Sequence, residues 1–304
     1  MFTNDLKNGA TMQNTNKEAQ ETPLDAVIDG RKKKGLHMKN MKRIMALLLC
    51  GILLLAGVTV LASCGKESNK LVMATNASFP PYEYKEGDNF EGIDIEIAKK
   101  IAEKLGMELE IQDVEFGSII GGVSSGKYDM GMAGMTVTED RLKNVNFSTS
   151  YAKGIQACIV KADSEYASVD DFFNLDADGN WVSVKDGVKV GVQQDTTGDI
   201  YCSDTVENFG FGEENVTRYK TGNDAVAALV AGKVTVVIID DQPAKSYVAA
   251  NEGLKILETE YTNEDYAICV AKNNDELLGK INKALADLTA DGTIAGIIAK
   301  YIKE

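Results

Sequence analysis

The stretch GKYDMGMAGMTVTEDR, residues 126–141 of this 304-residue chain, indicates the fold class. A Gly-Lys pair closes a short helical pattern, an apolar run predicts a buried strand over 128–135, and Thr138 predicts a helix N-cap. The same arrangement recurs in AGKVTVVIIDDQP, residues 231–243, where an apolar strand runs into Asp240. Strand and helix patterns precede both copies. The sequence therefore predicts an α/β protein with two similarly built lobes and largely parallel sheets.

Further patterns place the remaining elements. Alternating apolar runs and helical spacings predict strands over 71–75, 107–114, 188–192 and 216–219, and helices over 93–105, 119–125, 221–231, 277–288 and 293–301. Two apolar strands, 154–161 and 265–272, bracket the second copy, so we expect them to cross between the lobes. Residues 174–180 faintly resemble a calcium loop, but Lys185 stands where a bidentate Glu is required, and a hairpin turn is predicted instead.

Residues 38–63 predict a lipoprotein signal peptide. Basic residues precede an apolar run of 18 residues, 44–61, and Leu61-Ala62-Ser63-Cys64 resembles a lipobox in which Cys64 is acylated. The alternative is an uncleaved membrane anchor. Residues 1–37 are interpreted as a disordered extension or a mis-assigned start, and 64–69 as a tether. The predicted location is outside the cytoplasm, with a lipid anchor in the cell membrane.

Charge excludes several functions. The chain has 46 acidic and 32 basic side chains, and its single histidine, His37, precedes the signal peptide. Residues 64–304 hold 41 acidic and 23 basic side chains, a net charge of −18, with Arg141 and Arg218 as their two arginines. This balance argues against nucleic-acid binding, and the lack of histidine in 64–304 excludes histidine catalysis and multi-histidine metal sites.

Cysteine gives little information about chemistry. Cys158, Cys202 and Cys269 form an odd set, so they cannot all pair within the chain. Cys158 and Cys269 lie in apolar runs, which favours buried thiols, although a disulfide between these two stays open.

Four loops follow predicted strands, at 76–82, 136–141, 195–198 and 240–243, and ligands of open α/β sheets bind at such ends. Arg141 puts a cation in the first turn of a helix, against the helix dipole. It either pairs with its acidic neighbours or binds an anion. Asp240 ends an apolar strand, where it either caps the next helix or receives an ammonium group.

Two further features extend this interpretation. Residues 195–198, Asp-Thr-Thr-Gly, are typical of a helix start that binds an anion, although they also suit an ordinary turn. Phe79 and Phe116 stand in polar loops, either as core residues or exposed for stacking. An arginine, a carboxylate, hydroxyls and aromatic rings together predict an α-amino-acid binder.

Several motifs now carry a family resemblance: GIDIEIA at 92–98, SGKYD at 125–129, GMTVTEDR at 134–141 and VNFS at 145–148. Residues 70–304 resemble the polar amino-acid-binding proteins of ABC uptake systems, family 3 of the extracellular solute-binding proteins. The resemblance implies a two-lobed, type II periplasmic-binding-protein-like fold with a ligand cleft between the lobes. Each lobe is then a mixed, mostly parallel sheet flanked by helices, with 70–155 plus 265–304 as lobe 1 and 156–264 as lobe 2.

The resemblance also implies roles for individual residues. It assigns the ligand carboxylate to Arg141, with support from the N–H groups of Thr136 and Thr197, and it includes Thr196 among the ligand-binding residues. It assigns the ammonium group to Asp240, the Gly134 carbonyl and the Thr136 hydroxyl. It assigns a side-chain sandwich to Phe79 and Phe116 and the side-chain tip to Asn76 and Gln193. The sequence departs from the family in four places, one of them the Gly121-Gly122 pair that interrupts a predicted helix. Asn76 stands where relatives often have Asp, Asp195 replaces a usual Gly, and residues 172–187 form a longer segment.

The predicted function is capture of a polar or charged L-amino acid and its delivery to an ABC permease. The protein is expected to act as a monomer, without cofactor or metal, and not to be an enzyme. The alternative is an enzyme on the same fold, such as a dehydratase, with Glu83 or Glu115 as its acid.

Overall fold

The computed structural model describes residues 69–258 and 262–303. The predicted signal peptide and Cys64 lie outside the described residues. Within these ranges, no helix combines the length and apolar character needed to span a membrane.

The elements are numbered in chain order. The strands are β1 (Lys70–Thr75), β2 (Ser78–Phe79), β3 (Glu83–Glu86), β4 (Asn89–Glu91), β5 (Glu108–Asp113), β6 (Met130–Gly131), β7 (Val145–Phe147), β8 (Ala152–Lys161), β9 (Phe173–Leu175), β10 (Trp181–Val184), β11 (Val190–Gln193), β12 (Val216–Tyr219), β13 (Val236–Asp240), β14 (Leu254–Ile256), β15 (Asn263–Tyr266) and β16 (Cys269–Ala271). The α-helices are α1 (Ile93–Leu105), α2 (Ile119–Ser124), α3 (Glu139–Asn144), α4 (Thr197–Ser203), α5 (Gly222–Val230), α6 (Asp241–Ala250), α7 (Asp275–Ala290) and α8 (Thr293–Tyr301).

The first lobe is built on a mixed sheet with the strand order β5-β1-β6-β16-β7. β1 runs parallel to β5 and β6, whereas β16 runs antiparallel to β6 and β7. A small antiparallel sheet, β2-β3-β4, occupies residues 78–91. The sequence predicts only a loop at 76–82, because the alternation there is short and includes two prolines.

The second lobe repeats the plan in a sheet with the order β12-β11-β13-β8-β14. β11 runs parallel to β12 and β13, and β8 runs antiparallel to β13, β14 and β15. The predicted α/β class with a mixed sheet in each lobe is therefore confirmed. The exact residues at which the chain divides into lobes stay a prediction.

Helix α1 illustrates how the sequence pattern forms the core. Ile93, Ile97 and Ile101 recur at helical spacing and are fully buried, so they place one apolar face against the sheet. Gly106 ends the helix in the left-handed conformation, which favours glycine. The two C-terminal helices complete the same apolar cluster through residues such as Ile281.

The segment 128–135 is strand only at Met130–Gly131, so its prediction as one long strand is wrong. The Met132 N–H still bonds to the carbonyl of Ala74 at 3.0 Å, but Gly134 has a φ of 51°, which ends the extended conformation. The chain leaves the sheet at this point and carries the following residues toward the second lobe.

The predicted strand 265–272 is divided between two sheets. Asn263–Tyr266 pairs with β8, whereas Cys269–Ala271 pairs with β6 and β7 of the first lobe. The chain changes partner between these strands, which a single apolar run does not reveal. Together with β8, this segment links the two sheets.

The longer segment 172–187 contains the predicted hairpin, β9 and β10, which pair antiparallel. The indole of Trp181 stacks on the ring of Phe173, with centroids 3.9 Å apart and planes within 4°. Cys158, Cys202 and Cys269 are free and buried, so the alternative of a Cys158–Cys269 disulfide is wrong.

Candidate functional site

A narrow cavity of about 10 Å³ lies between the two lobes. Its wall comprises Asn76, Phe79, Glu83, Phe116, Ala133, Gly134, Thr136, Arg141, Gln193, Thr196, Thr197 and Asp240. The ten residues predicted to bind ligand are all among them, because strand ends and helix starts from both lobes converge here. Their roles in binding stay a prediction.

Arg141 lies at one end of the cavity and is only 8% exposed. Thr138 caps α3 by accepting a hydrogen bond from the Arg141 N–H at 3.2 Å, so the predicted N-cap is confirmed. The guanidinium donates from Nη1 to the Thr136 carbonyl at 2.8 Å and from Nη2 to the Asp195 carbonyl at 3.0 Å. It also lies over the Phe116 ring, 5.2 Å from the centroid.

Arg141 forms no ion pair with its acidic neighbours, contrary to one of the two interpretations that the sequence left open. Asp140 instead forms an ion pair with Lys143, with 2.5 Å between Nζ and Oδ1. Burial lowers the pKa of Arg141, while the charges of Glu264 and Asp240 oppose this shift. A guanidinium remains charged under these conditions, so a buried positive charge stands at the cavity.

The other arginine has a structural role. Arg218 donates from Nε to both oxygens of Asp199 at 2.8 and 2.9 Å, and its terminal nitrogens bond to Glu213 and Ser203. Its charge is therefore matched by carboxylates of its own lobe, which Arg141 lacks among the described residues.

Asp240 also lines the cavity, where β13 meets α6. Its side chain does not cap α6, which rejects the simpler of the two interpretations. Instead, its Oδ1 accepts a hydrogen bond from the hydroxyl of Tyr266. Burial and the nearby charge of Glu264 raise the pKa of Asp240, and the hydrogen bonds from Tyr266 and Gln156 oppose this shift.

A buried polar network connects the lobes beside Asp240. The Thr136 hydroxyl donates to Oε2 of Glu264 at 2.9 Å, and Nε2 of Gln156 donates to the same oxygen at 3.1 Å. Because the Thr136 proton is used in this bond, the lone pairs of its oxygen remain available as acceptors. The network thus makes Thr136 an acceptor toward the cavity.

The rest of the cavity wall includes the aromatic rings of Phe79 and Phe116 and the amide side chains of Asn76 and Gln193. Phe79 and Phe116 are buried members of the apolar clusters, as the core interpretation predicts, and both also line the cavity. Stacking of these rings on a ligand stays a prediction. Nε2 of Gln193 donates to Oδ1 of Asn76 at 2.9 Å across the cavity. Thr196 caps α4 through the Asp199 N–H at 3.3 Å, which confirms the predicted helix start.

Asp195 lies outside this cavity, in an outer cavity that Arg141 and Phe116 also line. Its φ of 65° lies in the left-handed region that favours glycine, which is the residue that relatives were expected to have there. Its N–H donates to Oδ2 of Asp199 at 2.9 Å. Its carboxylate packs against Gly117: a Cβ on Gly117 would lie 2.0 Å from Oδ2 of Asp195.

Sequence reasoning did not assign four buried residues near the cavity to the site: Glu83, Gln156, Glu264 and Tyr266. Glu83 appeared only as an acid in the enzyme alternative. Glu264 and Tyr266 alternate with exposed residues along β15, and this strand pattern could have indicated that both point inward. Gln156 is a polar residue within an apolar strand, which is also a signal.

A mixed α/β sheet in each of two lobes, with a polar cavity between them, defines the type II class of two-lobed periplasmic binding proteins. Residues 71–304 match the model of the bacterial extracellular solute-binding proteins, family 3. The chain therefore belongs to this family.

Relatives give the family a more specific context. The arginine-binding extracellular protein ArtP of Bacillus subtilis is 30% identical over 270 residues, which cover 86% of this chain and 98% of ArtP. The ABC transporter arginine-binding protein 1 of Escherichia coli is 28% identical over 257 residues, 83% of this chain and 97% of the relative. A solved ancestral arginine-binding protein bound to glutamine has a TM-score of 0.67 and 36% identity, and the match covers 78% of this chain and 99% of that protein.

Proposed function

We propose that the protein captures an L-amino acid with a polar or charged side chain in the cavity between its lobes. The observation that carries this proposal is the contrast between the two arginines. Arg218 is matched by carboxylates, whereas Arg141 is buried at the cavity and bonds to backbone carbonyls. A buried guanidinium with free donors suits the carboxylate that every amino acid carries.

The two ends of the cavity suit the two charges of a zwitterion. At one end, Arg141 and the N–H groups at the start of α4, near Thr197, provide donors for the carboxylate. At the other end, Asp240, the Thr136 oxygen and the Gly134 carbonyl provide acceptors for the ammonium group. Between them, Phe79 and Phe116 offer flat apolar surfaces for the side chain, and Asn76 and Gln193 offer amides for its polar tip.

Transport follows from this binding role. We infer that the mature protein is exported, is anchored to the membrane through a lipid on Cys64, and delivers its ligand as a monomer to an ABC permease. The signal-peptide pattern of residues 38–63 and the family membership support this inference. Intact mass of the protein from membranes tests the anchor, because acylation of Cys64 adds a defined mass to a chain that starts at this residue.

We favour binding without catalysis over the enzyme alternative. Glu115, one of its two candidate acids, is mostly exposed and pairs with Lys220 at 2.5 Å, away from the cavity wall. Glu83 does line the cavity, so the enzyme alternative rests on this residue alone. Recovery of unchanged ligand after long incubation is the expected result.

A thermal-shift screen over the standard amino acids tests the binding proposal. A ligand present at about 100 times its Kd stabilises the folded state by roughly 2.7 kcal/mol, which raises the melting temperature measurably. We expect a response to a subset of polar or charged L-amino acids, and a weaker one to their D-enantiomers. A flat response to every amino acid contradicts the proposal.

A further inference from the structure

Glu83 brings an unpaired carboxyl group to the wall of the cavity. It lies at the start of β3 and is only 1% exposed. Among the described residues, neither Oε1 nor Oε2 of Glu83 has a hydrogen-bond partner. A buried carboxylate without a partner is strongly unfavourable, so the group either carries a proton or awaits a donor from a ligand.

Asp94 provides a second buried carboxyl group with an unpaired oxygen. Its Oδ2 accepts hydrogen bonds from the Gly134 N–H and the Tyr151 hydroxyl, both at 2.8 Å. Its Oδ1 is buried and has no donor among the described residues. The carboxyl groups of Asp94 and Glu83 act on each other, and a hydrogen bond between them needs a proton on one of the two. Two carboxylates lack a proton for such a bond, whereas one proton held between them supplies it.

No cation of the described residues offsets this pair. The ionisable groups that face Glu83 are the carboxyl groups of Asp94 on α1 and Asp240 at the end of β13, and the phenols of Tyr82, Tyr151 and Tyr247. Burial and the charge of Asp94 raise the pKa of Glu83, and burial raises that of Asp94 to about 6. A single proton on the pair at neutral pH is consistent with both shifts.

One shared proton gives a hydrogen-bond partner to only some of the unpaired carboxyl oxygens of Glu83 and Asp94. The bond between the two carboxyl groups uses one oxygen of Glu83 and Oδ1 of Asp94. The second oxygen of Glu83 still has no donor, and Glu83 lines the same cavity as Asn76 and Gln193. This oxygen therefore lies where a ligand side chain can donate to it.

We propose that Glu83 and Asp94 share one proton in the ligand-free protein, and that a cationic ligand side chain displaces this proton and pairs with Glu83. The inference rests on the proposed amino-acid binding. An N–H···O bond from the ligand replaces the O–H···O bond of the pair, and the proton passes to solvent. The charge of the pair changes from −1 to −2 while the ligand brings +1. A neutral amide side chain leaves the shared proton in place and donates to the free oxygen.

The proton count of binding tests this inference. Asp240 faces the ammonium group that all amino acids share, so any proton that it releases is common to them. The difference between L-arginine and L-glutamine therefore isolates the Glu83–Asp94 pair. Titration calorimetry in phosphate and in Tris at one pH gives the number of protons released with each ligand, because the two buffers differ in ionisation enthalpy.

We expect L-arginine to release about one proton more than L-glutamine. Below the apparent pKa of the pair, the ratio of arginine affinity to glutamine affinity should rise about tenfold for each unit by which the pH increases. Equal proton release for the two ligands overturns the inference, and so does binding of glutamine without arginine, although both results leave amino-acid binding intact. If no amino acid binds, the proposed function fails, and this inference fails with it.

Glu83→Gln keeps the shape of the side chain and removes its charge. The ratio of arginine affinity to glutamine affinity should fall about 100-fold, as expected when a buried charge loses its partner, and the extra proton release should disappear. Glu86→Gln is the matched control, because Glu86 is exposed at the other end of β3. An unchanged ratio in Glu83→Gln contradicts the inference. Should this variant fail to fold, the buffer comparison on the parent protein decides alone.

Discussion

Gln193 donates a hydrogen bond from Nε2 to Oδ1 of Asn76 at 2.9 Å, and this bond joins the two lobes across the cavity. The orientation of Asn76 is held from its own lobe, because its Nδ2 donates to the Val114 carbonyl at 2.8 Å and its Oδ1 also accepts from the Ser78 hydroxyl at 3.1 Å. Asn76 thus presents an acceptor to the second lobe. The pair closes the cavity at the place where the tip of a ligand side chain is proposed to lie.

Replacement of Gln193 tests this role. We expect Gln193→Ala to weaken ligand binding by about 1 kcal/mol, because one hydrogen-bonding side chain is lost between the lobes and beside the ligand. Gln194→Ala is the control: Gln194 is exposed and bonds to the Asp195 side chain at 3.2 Å. Titration calorimetry of both variants gives the comparison. Equal affinities in Gln193→Ala and the parent exclude Gln193 from the binding surface.

The two arginines predict opposite phenotypes. Arg141→Ala should reduce the affinity for every ligand by about 2–5 kcal/mol, because the ligand carboxylate would be buried without its charged partner. Arg218→Ala should retain binding but lower the free energy of unfolding by about 1–3 kcal/mol, because Asp199 and Glu213 lose a charged donor.

Calorimetric affinities and urea denaturation of both variants separate these effects. Arg141→Lys distinguishes charge from geometry, since an ammonium group keeps the charge but lacks the planar fork. Binding losses of equal size in the Arg141 and Arg218 variants would refute the division of roles.

The residues that sequence reasoning identified are those whose chemistry is rare or whose position follows from topology. Arg141 was identified because residues 64–304 contain one other arginine, and Asp240 because strand ends point to a cleft. Glu264 and Gln156 acquire their roles only when β15 pairs with β8, with Glu264 in register with Gly154. The alternation along β15 indicates which of its side chains point inward, but it does not indicate that β15 pairs with β8.

The burial of Glu83 is likewise not predictable from its local sequence. Nothing in its local sequence separates it from exposed Glu86 on the same strand. Its burial follows from packing between the small antiparallel sheet and α1, which brings Asp94 to face it. The early end of the strand at Gly131 is likewise set by tertiary contacts, since the Gly134 N–H bonds to Asp94 rather than to a neighbouring strand.

The buried carboxyl groups predict how stability depends on pH. Burial raises the pKa values of Asp240 and Glu83, and it raises that of Asp94 to about 6. The folded, ligand-free protein therefore holds protons that the unfolded chain releases above its ordinary carboxyl pKa of about 4. The free energy of unfolding should thus fall as pH rises through this window, by up to about 1.4 kcal/mol per pH unit for each proton.

Urea denaturation of the ligand-free protein between about pH 5 and pH 8 measures this slope. The surface carboxylates with lowered pKa values, such as Asp140 and Glu276, are already ionised in this range and contribute little to it. Asp240→Asn should flatten the dependence, because the amide does not titrate. A stability that rises from pH 5 to pH 7 would contradict the predicted protonation of the buried groups.

Gly117 limits how closely the two lobes approach. It lies at the edge of the outer cavity, where a Cβ would be 2.0 Å from Oδ2 and 3.2 Å from Cβ of Asp195. The carbonyl of Asp195 also receives the Arg141 guanidinium. An added Cβ therefore forces the Asp195 carboxylate to rotate away, which disturbs the contact between the lobes beside the proposed carboxylate-binding arginine.

Gly117→Ala should consequently weaken ligand binding by about 1–3 kcal/mol, the usual cost of an added methyl group in a packed contact. Gly121→Ala provides the control, because no atom lies within 4 Å of a Cβ there, and it should increase stability by up to about 1 kcal/mol through helix propensity. The double variant Gly117→Ala/Asp195→Gly removes the clashing carboxylate and should recover most of the lost affinity. If the single variant binds as tightly as the parent, or if the second substitution restores nothing, the Gly117–Asp195 contact does not govern closure of the lobes around the ligand.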